Sequence, residues 1–264
     1  MADFTATDVK RLRDQTGAGM MDAKKALVET EGDFGAAAKW LREKGLASAG
    51  QRAGRESSQG AVALARAGNV AALVELKCET DFVAKSPDFV SLANDLAQLV
   101  ADEGEQAIEA RKDDVDNLKL TLKENISLGR VVRFEAAEGN VLDTYLHVQS
   151  GRGVNAVLVE LAGGDRELAH DIAVHAAFAK PVYLTRDEVP EETVAEERAT
   201  YEAQARNSRK PEAALAKIVD GMLTGWFKER VLLDQPFAKD DKQSVQQVLG
   251  DTRVVRFAQV VIGG

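Results

Sequence analysis

The sequence predicts an α+β protein in which a small N-terminal bundle of three helices precedes a core of two related halves. Three observations predict it. Short amphipathic helical segments fill the first fifty residues, a strand-then-helix pattern occurs twice in the body, and a stretch of helical periodicity at 191–230 interrupts the second half. We therefore place the bundle at 1–50, a linker at 51–60, a first core subdomain at 61–129 and a second at 130–264.

Local capping signals predict the bundle helices. The first helix should begin at Ala6, because Thr5 and Asp8 have the spacing of a capping box. It should end near Gly17, since glycine tolerates the left-handed conformation that closes a helix. The same signals predict the other two helices and their stops: Met21–Glu29 with Gly32, and Asp33–Lys44 with Gly45. The Gly- and Ser-containing segment 47–60 lacks apolar periodicity and predicts the linker.

An internal repeat of a strand followed by a helix organises the body. Three pairs of similar segments carry it: Ala72–Leu76 with Val157–Leu161, Leu92–Ala97 with Leu168–Ala173, and Arg130–Phe134 with Arg253–Phe257. The last pair alternates with period two, as strands do, and we place Arg130–Phe134 at the head of the second half. Two related α+β halves are the simplest interpretation.

The segment 191–230 has the spacing of two helices. Leu215, Met222 and Trp226 lie on one helical face, and Asn207–Pro211 is predicted to form the turn before that helix. Two helices joined by a short turn pack against each other in opposite directions. We therefore expect an antiparallel helical hairpin that projects from the body.

Composition argues against several classes of protein. The 264 residues carry a net charge of -9, and residues 61–264 are acidic, so they repel phosphate backbones and nucleic acid is not expected as a direct partner. No segment approaches the roughly 18 apolar residues that cross a membrane, and the N terminus lacks the apolar core of a secretory signal. The single cysteine, Cys78, cannot form an internal disulfide or a Cys-based zinc cluster. We expect a cytoplasmic protein whose partner is another protein.

The usual signatures of catalysis and cofactor binding do not occur in the sequence. There is no phosphate-binding P-loop, no Gly-x-Ser-x-Gly nucleophile motif and no His-Glu-x-x-His zinc motif. Gly151–Ala156 fits a loose dinucleotide pattern, but a strand follows it where a helix is required, so we predict a hairpin turn. His170 and His175 are five residues apart and do not share a helix face as zinc ligands would. We expect no catalytic residue, no metal and no cofactor.

The two halves differ by an insertion. Fifteen residues separate Leu76 from Leu92, whereas six separate Leu161 from Leu168, so the first half carries nine additional residues. These residues include the segment 78–85. Because the second half is expected to fold without these nine residues, the first half does not need them to complete its fold. This favours a role for the insertion in recognition.

Two interpretations of the inserted segment remain open at this point. In the first, Phe82 and Val83 fold back onto the core and Asp81 caps a turn, since large apolar residues are usually buried. In the second, the loop presents Phe82 as a wedge and Asp81 as a charge to a partner. The duplication of the core favours the second interpretation.

A glycine-rich turn in the bundle is a second candidate contact. Met20 and Met21 are adjacent, and a two-turn helix cannot direct both side chains into its core, so we expect one to be exposed. A flexible thioether suits adaptable contacts with a partner. Simple filling of space within the bundle is about as compatible with the spacing.

Segments spread over nearly the whole chain resemble the bacterial translation elongation factor Ts family, the guanine nucleotide exchange factors of elongation factor Tu. They occur in the family's order and are together highly specific. The segments are Leu12–Arg13, Thr16–Asp22, Lys24–Leu27, Thr80–Lys85 after Cys78, Lys180–Pro181, Lys210–Glu212 and Gln235–Phe237. The connection from Asp102 to Asn125 is short for this family.

The resemblance implies a ubiquitin-associated-like bundle, two related core subdomains and a helical hairpin inserted before the last strand. It implies that the protein binds the GDP form of elongation factor Tu, disturbs its magnesium and phosphate site, and promotes GDP release so that GTP can bind. Two sets of contact residues are implied: Thr80, Asp81, Phe82 and Val83 at the partner's magnesium site, and Arg13, Met20 and Met21 of the bundle on one of its helices. No covalent bond changes, so an enzyme is not expected.

Two other functions compete with this expectation. A non-catalytic scaffold that tethers partners through the bundle and the hairpin predicts binding without a change in nucleotide lifetime. A small-molecule enzyme using the acidic body and His147 requires a pocket of convergent titratable groups, which the sequence does not display.

Overall fold

The chain folds into N-terminal helices followed by a core of antiparallel sheets and helices, which confirms the predicted α+β class. The structure is a computed structural model that describes residues 4–52, 54–207 and 211–263, with side chains described outside 46–52 and 213. Within these ranges, no helix is both long enough and apolar enough to pass through a lipid bilayer.

Ten helices and eight strands are described. The helices are α1 (Ala6–Thr16), α2 (Met20–Glu29), α3 (Phe34–Arg52), α4 (Asp81–Ala84), α5 (Pro87–Glu103), α6 (Lys112–Leu122), α7 (Arg166–Ala179), α8 (Glu191–Asn207), α9 (Glu212–Arg230) and α10 (Val245–Leu249). The strands are β1 (Gln59–Ala67), β2 (Val70–Cys78), β3 (Ser127–Glu135), β4 (Asn140–Gln149), β5 (Arg152–Ala162), β6 (Pro236–Phe237), β7 (Asp240–Ser244) and β8 (Arg253–Val261). Short 3-10 segments cover Glu105–Arg111, Arg186–Glu188 and Leu232–Asp234.

The start of the bundle follows its local signals. The Thr5 side chain accepts a hydrogen bond from the Asp8 amide at 3.3 Å, and the Asp8 carboxylate accepts one from the Thr5 amide at 2.8 Å. This confirms the predicted capping box, and Gly17 ends α1 in the left-handed region at a φ of 67°. α2 begins at Met20, one residue earlier than predicted. The three helices enclose a small core of Val9, Leu12, Ala23, Ala26, Leu27, Ala37 and Leu41.

The predicted end of the third helix at Lys44 is wrong, because α3 continues through Gly45 to Arg52. A β-carbon added at Gly45 would lie 2.8 Å from Cδ2 of Leu120 in α6. Glycine at this position therefore permits a close crossing of two helices and does not end one. The linker predicted at 51–60 is correspondingly shorter, since α3 covers its first two residues and β1 its last two.

Each half of the core is a β-hairpin, a helix and a third strand. The sheet orders are β1-β2-β3 and β4-β5-β8, with α5 after β2 and α7 after β5, which confirms the predicted repeat. Placing Arg130–Phe134 at the head of the second half is wrong. That segment lies in β3 and pairs with β2, just as its counterpart in β8 pairs with β5. The second sheet therefore begins at Asn140, and the boundary expected at residue 130 cuts through a strand of the first sheet.

The two sheets pack face to face, with helices on their outer faces. β3 shows the alternation that this requires: Val132 and Phe134 contact the core between the sheets, whereas Val131 contacts the core beneath α5. A β-carbon added at Gly153 of β5 would lie 2.2 Å from the carbonyl oxygen of Val62 in β1, so the two backbones approach closely. The core between the sheets consists of Val62, Ala71, Leu73, Phe134, Ala136, Leu142, Ala156, Leu158, Ala258 and Val260.

The antiparallel helical hairpin is confirmed. Val194 near the start of α8 packs with Trp226 near the end of α9, and Ala205 near the end of α8 packs with Val219. The predicted turn at 207–211 includes residues 208–210, which lie outside the described residues. The amide of Val182 donates to the carbonyl of Arg230 at 2.8 Å and ties the base of the hairpin to the core.

The predicted turn at 151–156 is confirmed only at its start, because Gly151 lies in the turn of a β-hairpin whereas Arg152–Ala156 belong to β5. Ser150 and Gly151 have φ values of 53° and 79° and connect β4 to β5. Positive φ at both central residues is typical of the tight turns whose twist matches that of paired strands. Gly151 therefore serves the turn and Gly153 lies in a strand, and neither places a helix N-terminus for a dinucleotide.

Candidate partner-binding surface

The inserted segment forms a loop and the one-turn helix α4 between β2 and α5. Thr80 caps this turn, because its hydroxyl oxygen accepts a hydrogen bond from the Val83 amide at 3.3 Å. Val83 packs against the first core, which is the core between α5 and the first sheet, and Ala84 is buried within it. Phe82 points the other way, with 81% of its surface exposed. One residue anchors the turn while its neighbour extends into solvent.

These positions test the first interpretation of the loop, in which Phe82 and Val83 fold onto the core and Asp81 caps the turn. The expectation that Phe82 folds back onto the core is wrong, whereas Val83 does contact it. The cap of the turn is Thr80, which precedes Asp81 by one residue. Asp81 is the first residue of the helical turn and does not cap it.

An ion pair flanks the exposed aromatic ring. Lys85 donates a hydrogen bond to the Asp81 carboxylate at 2.5 Å, and this contact lowers the pKa of Asp81 from its ordinary value. The Lys85 ammonium also lies 5.4 Å from the centroid of the Phe82 ring, within the range of a cation–π contact. The loop therefore presents an apolar ring together with an ionised carboxylate.

A buried thiol lies beneath the loop. Cys78 is fully buried at the end of β2 and donates to the Thr80 carbonyl at 3.2 Å. Burial, assisted by the negative charge of Glu124, raises the pKa of Cys78 to about 12. The thiol stays protonated at neutral pH and acts as a small packing group and hydrogen-bond donor.

Glu124 is a residue that the sequence did not identify. Its carboxylate accepts hydrogen bonds from the amides of Glu79 and Thr80, both at 3.0 Å, and from the Thr80 hydroxyl at 2.5 Å. Glu79 in turn accepts a bond from the Asn125 amide at 2.7 Å. The two partners are 44 residues apart in the chain, so no local spacing indicated the contact.

The bundle presents a second apolar surface. Met20 and Met21 are exposed by 45% and 74%, so both side chains reach solvent where one was expected. Val28 is also exposed and stands seven residues after Met21, which places it on the same face of α2. Arg13 on α1 is half-exposed and pairs with Asp14 at 2.6 Å.

Helix α6 lies between the bundle and the core. Its buried residues Val115 and Leu118 face the first core, while Leu120 and Thr121 face the bundle. A β-carbon added at Gly17 would lie 3.3 Å from Cγ2 of Thr121, so the turn after α1 touches α6 closely. A cleft of about 740 Å³ remains between the two. Glu124 follows α6 after Lys123, so the helix that contacts the bundle leads to the residue that accepts hydrogen bonds from Glu79 and Thr80.

The histidines and acidic residues of the described part of the chain do not form a metal site. Among the residues that the structure describes, no three His, Cys, Asp or Glu side chains are grouped to hold a metal ion. His175 is 1% exposed and bonds to Gln235 at 3.0 Å, whereas His170 is exposed and lies 3.5 Å from the Asp143 carboxylate. The two histidines therefore occupy separate environments.

Comparison with known proteins places these features in one family. The family model described as Elongation factor TS matches residues 79–264. A protein of Acidothermus cellulolyticus named Elongation factor Ts is 48% identical over 277 positions, covering 100% of this chain and 99% of the relative. Proteins of the same name from Micrococcus luteus and Renibacterium salmoninarum are 44% and 45% identical, with 100% of both chains covered. The alignments exceed the 264 residues of this chain, so the relatives carry insertions relative to it.

Proposed function

This chain belongs to the elongation factor Ts family, and on that premise we propose that it is the guanine nucleotide exchange factor of elongation factor Tu. In this proposal the chain binds the GDP form of the GTPase, disturbs its magnesium and phosphate site, and promotes GDP release so that GTP can bind. It alters no covalent bond and is therefore not an enzyme. The proposal places it in the cytoplasm, with no direct contact to nucleic acid or membrane.

The observation that carries the proposal is the exposure of Phe82 on an anchored turn. The ring is 81% exposed, so it contributes little to the packing of its own chain. Burying such a ring in a partner recovers about 1.5–3 kcal/mol of hydrophobic free energy. Val83 and Ala84 hold the base of the turn, which lets the ring enter a partner without distortion of the core.

The magnesium site of a GTPase is a sensitive target for such a ring. Mg²⁺ requires near-octahedral coordination by oxygen atoms, and displacement of one ligand weakens its hold on the phosphates of bound GDP. In the proposal Thr80, Asp81, Phe82 and Val83 contact the partner here, with Phe82 as the wedge and Asp81 as a negative charge.

The wedge needs support from a broader interface. A gain of about 1.5–3 kcal/mol corresponds to roughly a ten- to hundredfold change in rate, which is small for a dedicated exchange factor. We assign the remaining binding energy in part to Arg13, Met20 and Met21 of the bundle, which would contact one helix of the GTPase. Both methionines are exposed in the free chain, so their burial requires no unfolding.

Thermodynamic linkage determines the order of affinities. If the chain weakens GDP binding by some factor, GDP weakens binding of the chain by the same factor. The tightest complex is then the nucleotide-free one. The chain accelerates exchange, while the cellular concentrations of GDP and GTP decide which nucleotide rebinds.

Stopped-flow release of a fluorescent GDP from elongation factor Tu tests the proposal. Phe82→Ala should slow stimulated release by roughly ten- to hundredfold, the range that ring burial supports. Phe178→Ala is the matched control, because Phe178 is 79% exposed at the end of α7, outside the proposed contact set. Circular dichroism should show an unchanged fold for both variants.

Two outcomes would contradict the proposal. Equal rates of GDP release with the wild-type chain and with Phe82→Ala would show that Phe82 does not act as a wedge. Binding of elongation factor Tu with no change in the lifetime of GDP would instead support the scaffold alternative.

A further inference from the structure

We propose that Glu124 is a positioning residue that holds the loop 79–85 in the orientation that presents Phe82. Its consequence for exchange rests on the proposed function, whereas the positioning itself concerns the free chain alone. Glu124 belongs to neither set of contact residues named above.

The hydrogen bonds of Glu124 converge on the cap of α4. Its two carboxylate oxygens accept from the Glu79 amide, the Thr80 amide and the Thr80 hydroxyl. Because the Thr80 hydroxyl donates its proton to Glu124, its oxygen lone pairs face the Val83 amide, from which it accepts at 3.3 Å. Glu124 thereby orients the side chain that begins the helical turn carrying Phe82.

The contact is reciprocal between two segments that are distant in sequence. While Glu124 accepts from residues 79 and 80, the Glu79 carboxylate accepts from the Asn125 amide at 2.7 Å. Arg55 pairs with the Glu79 carboxylate at 3.4 Å and supplies a positive charge beside it. Hydrogen bonds to an ionised acceptor are about twice as strong as neutral ones, so this link is firmer than an ordinary turn.

The geometry of α6 delivers Glu124 to this position. Lys123 adopts a left-handed conformation with a φ of 59° and ends the helix, and Glu124 is the next residue. The other face of α6 meets the bundle at Leu120 and Thr121. The same helix, α6, therefore contacts the bundle and, through Glu124, the loop that carries Phe82.

Loss of this link should change how often Phe82 is presented correctly, with little effect on the core. Val83 and Ala84 would still anchor the turn, but the Thr80 cap could rotate. In the proposed complex the bundle also binds the partner, so a chain with its loop in an incompetent orientation stays bound, and partial population of the competent orientation lowers the maximal rate in proportion. We expect Glu124→Ala to reduce stimulated GDP release at saturating concentration by roughly five- to twentyfold.

The experiment compares three variants. Glu124→Ala removes the acceptors, and Glu124→Gln keeps a carbonyl for the two amides and offers an NH₂ group to the Thr80 hydroxyl. Glu103→Ala removes the same charge from an exposed position on α5. Each variant is measured for GDP release as a function of its concentration, which separates the maximal rate from the half-saturating concentration.

The single cysteine supplies a readout that needs no partner. Cys78 lies beneath the loop and bonds to the Thr80 carbonyl, so its labelling by a thiol reagent reports opening of the loop in the free chain. Glu124→Ala should label faster and release GDP more slowly at saturation. Glu103→Ala should resemble the wild-type chain in both measurements. Glu124→Gln should release GDP like the wild-type chain and label more slowly than Glu124→Ala, since it keeps the hydrogen bonds of the loop although it lacks the charge that helps to raise the pKa of Cys78.

Three results would overturn the positioning role. The first is a wild-type rate of Cys78 labelling in Glu124→Ala, and the second is an equal acceleration of labelling in Glu124→Ala and Glu124→Gln. The third is that Glu124→Ala lowers the maximal rate of Phe82→Ala by the same factor by which it lowers that of the wild-type chain. The second result would mean that the faster labelling comes from the loss of a negative charge near the thiol. The third would show that Glu124 affects GDP release independently of Phe82.

Failure of the exchange function is distinguishable from failure of the positioning role. A wild-type chain that does not accelerate GDP release contradicts the exchange function, while the labelling rates still decide whether Glu124 holds the loop. If Glu124→Ala lowers the folded fraction, Thr80→Val removes the hydroxyl that donates to Glu124 and that accepts from the Val83 amide. That variant should then give the faster labelling, and wild-type labelling in it would overturn the positioning role.

Discussion

Gly45 of α3 lies so close to Leu120 of α6 that a β-carbon at position 45 would stand 2.8 Å from Cδ2 of the leucine. The two helices belong to the bundle and to the first half of the core. Arg42 pairs with Asp113 across the same contact at 3.6 Å. Helix α6 thus connects the bundle, which carries the exposed methionines, to the loop that carries Phe82.

A leucine at position 45 should separate the bundle from α6. Overpacking at such a contact costs about 1–3 kcal/mol, so Gly45→Leu should lower the thermal stability of the chain. Gly221→Leu is the matched control, since Gly221 is an exposed glycine inside α9 with open space around it. It should gain about 0.5–1 kcal/mol from helix propensity. A melting curve in which both variants gain stability would contradict the close crossing.

Truncation of the bundle methionines should weaken partner binding more than it slows the maximal rate. Met20→Ala and Met21→Ala remove apolar surface that lies far from the Phe82 turn in sequence and is already exposed in the free chain. The half-saturating concentration for GDP release should rise about five- to thirtyfold, the effect of losing roughly 1–2 kcal/mol of contact. Val148→Ala, an exposed apolar position on β4, serves as control. A reduced maximal rate with unchanged half-saturation would assign the methionines to the exchange step.

Asp81→Ala should slow GDP release less than Phe82→Ala does. The Asp81 carboxylate pairs with Lys85 at the surface, and this hydrogen bond keeps the pKa of Asp81 below its ordinary value, so the group is ionised at neutral pH. Asp81→Asn retains a bond to Lys85 without the charge and should match Asp81→Ala if the charge faces the partner's magnesium site. Release measured at equal saturation decides this, and wild-type behaviour of Asp81→Asn would show that charge is unimportant.

Stability should fall as the pH drops below about 6.5 because of His175. Its Nδ1 accepts from the Ala238 amide at 3.1 Å and its Nε2 bonds to Gln235, so the folded chain holds the ring neutral. Burial lowers the pKa of His175 from its ordinary value of 6.5. The unfolded chain therefore binds a proton that the folded chain does not, and the slope approaches about 1.4 kcal/mol per pH unit.

Urea unfolding between pH 5 and pH 7.5 measures this dependence. His175→Gln should reduce the slope below pH 6.5, whereas His147→Gln, at an exposed position on β4, should leave it unchanged. An equal slope in the wild-type chain and His175→Gln would assign the acid sensitivity to other groups.

Several features were predictable because their signals are local or repeated. The capping box at Thr5 and Asp8 is a contact between residues three apart, and it forms as predicted. The helices of the hairpin follow the spacing of their apolar residues. The insertion that carries Phe82 emerged from comparing the two halves, since one half lacks it.

Other features depended on partners that are distant in the chain. Gly45 is compatible with a helix end or with a tight crossing, and only the position of Leu120 decides which. The strand containing Arg130–Phe134 has the same alternation in either half, and only its pairing with β2 assigns it to the first. Glu124 carries no signal in its own neighbourhood, because the amides that it accepts from lie 44 and 45 residues away.

The amino-acid order alone determined that the bundle and the hairpin are helical, that the core is duplicated, and where one half departs from the other, since hydrophobic period and capping are set by neighbouring residues. Tertiary structure alone decided which way Phe82 points, that both bundle methionines reach solvent, and which carboxylate holds the loop. The exposure of a side chain depends on what the rest of the chain brings against it, and period and spacing do not contain that information.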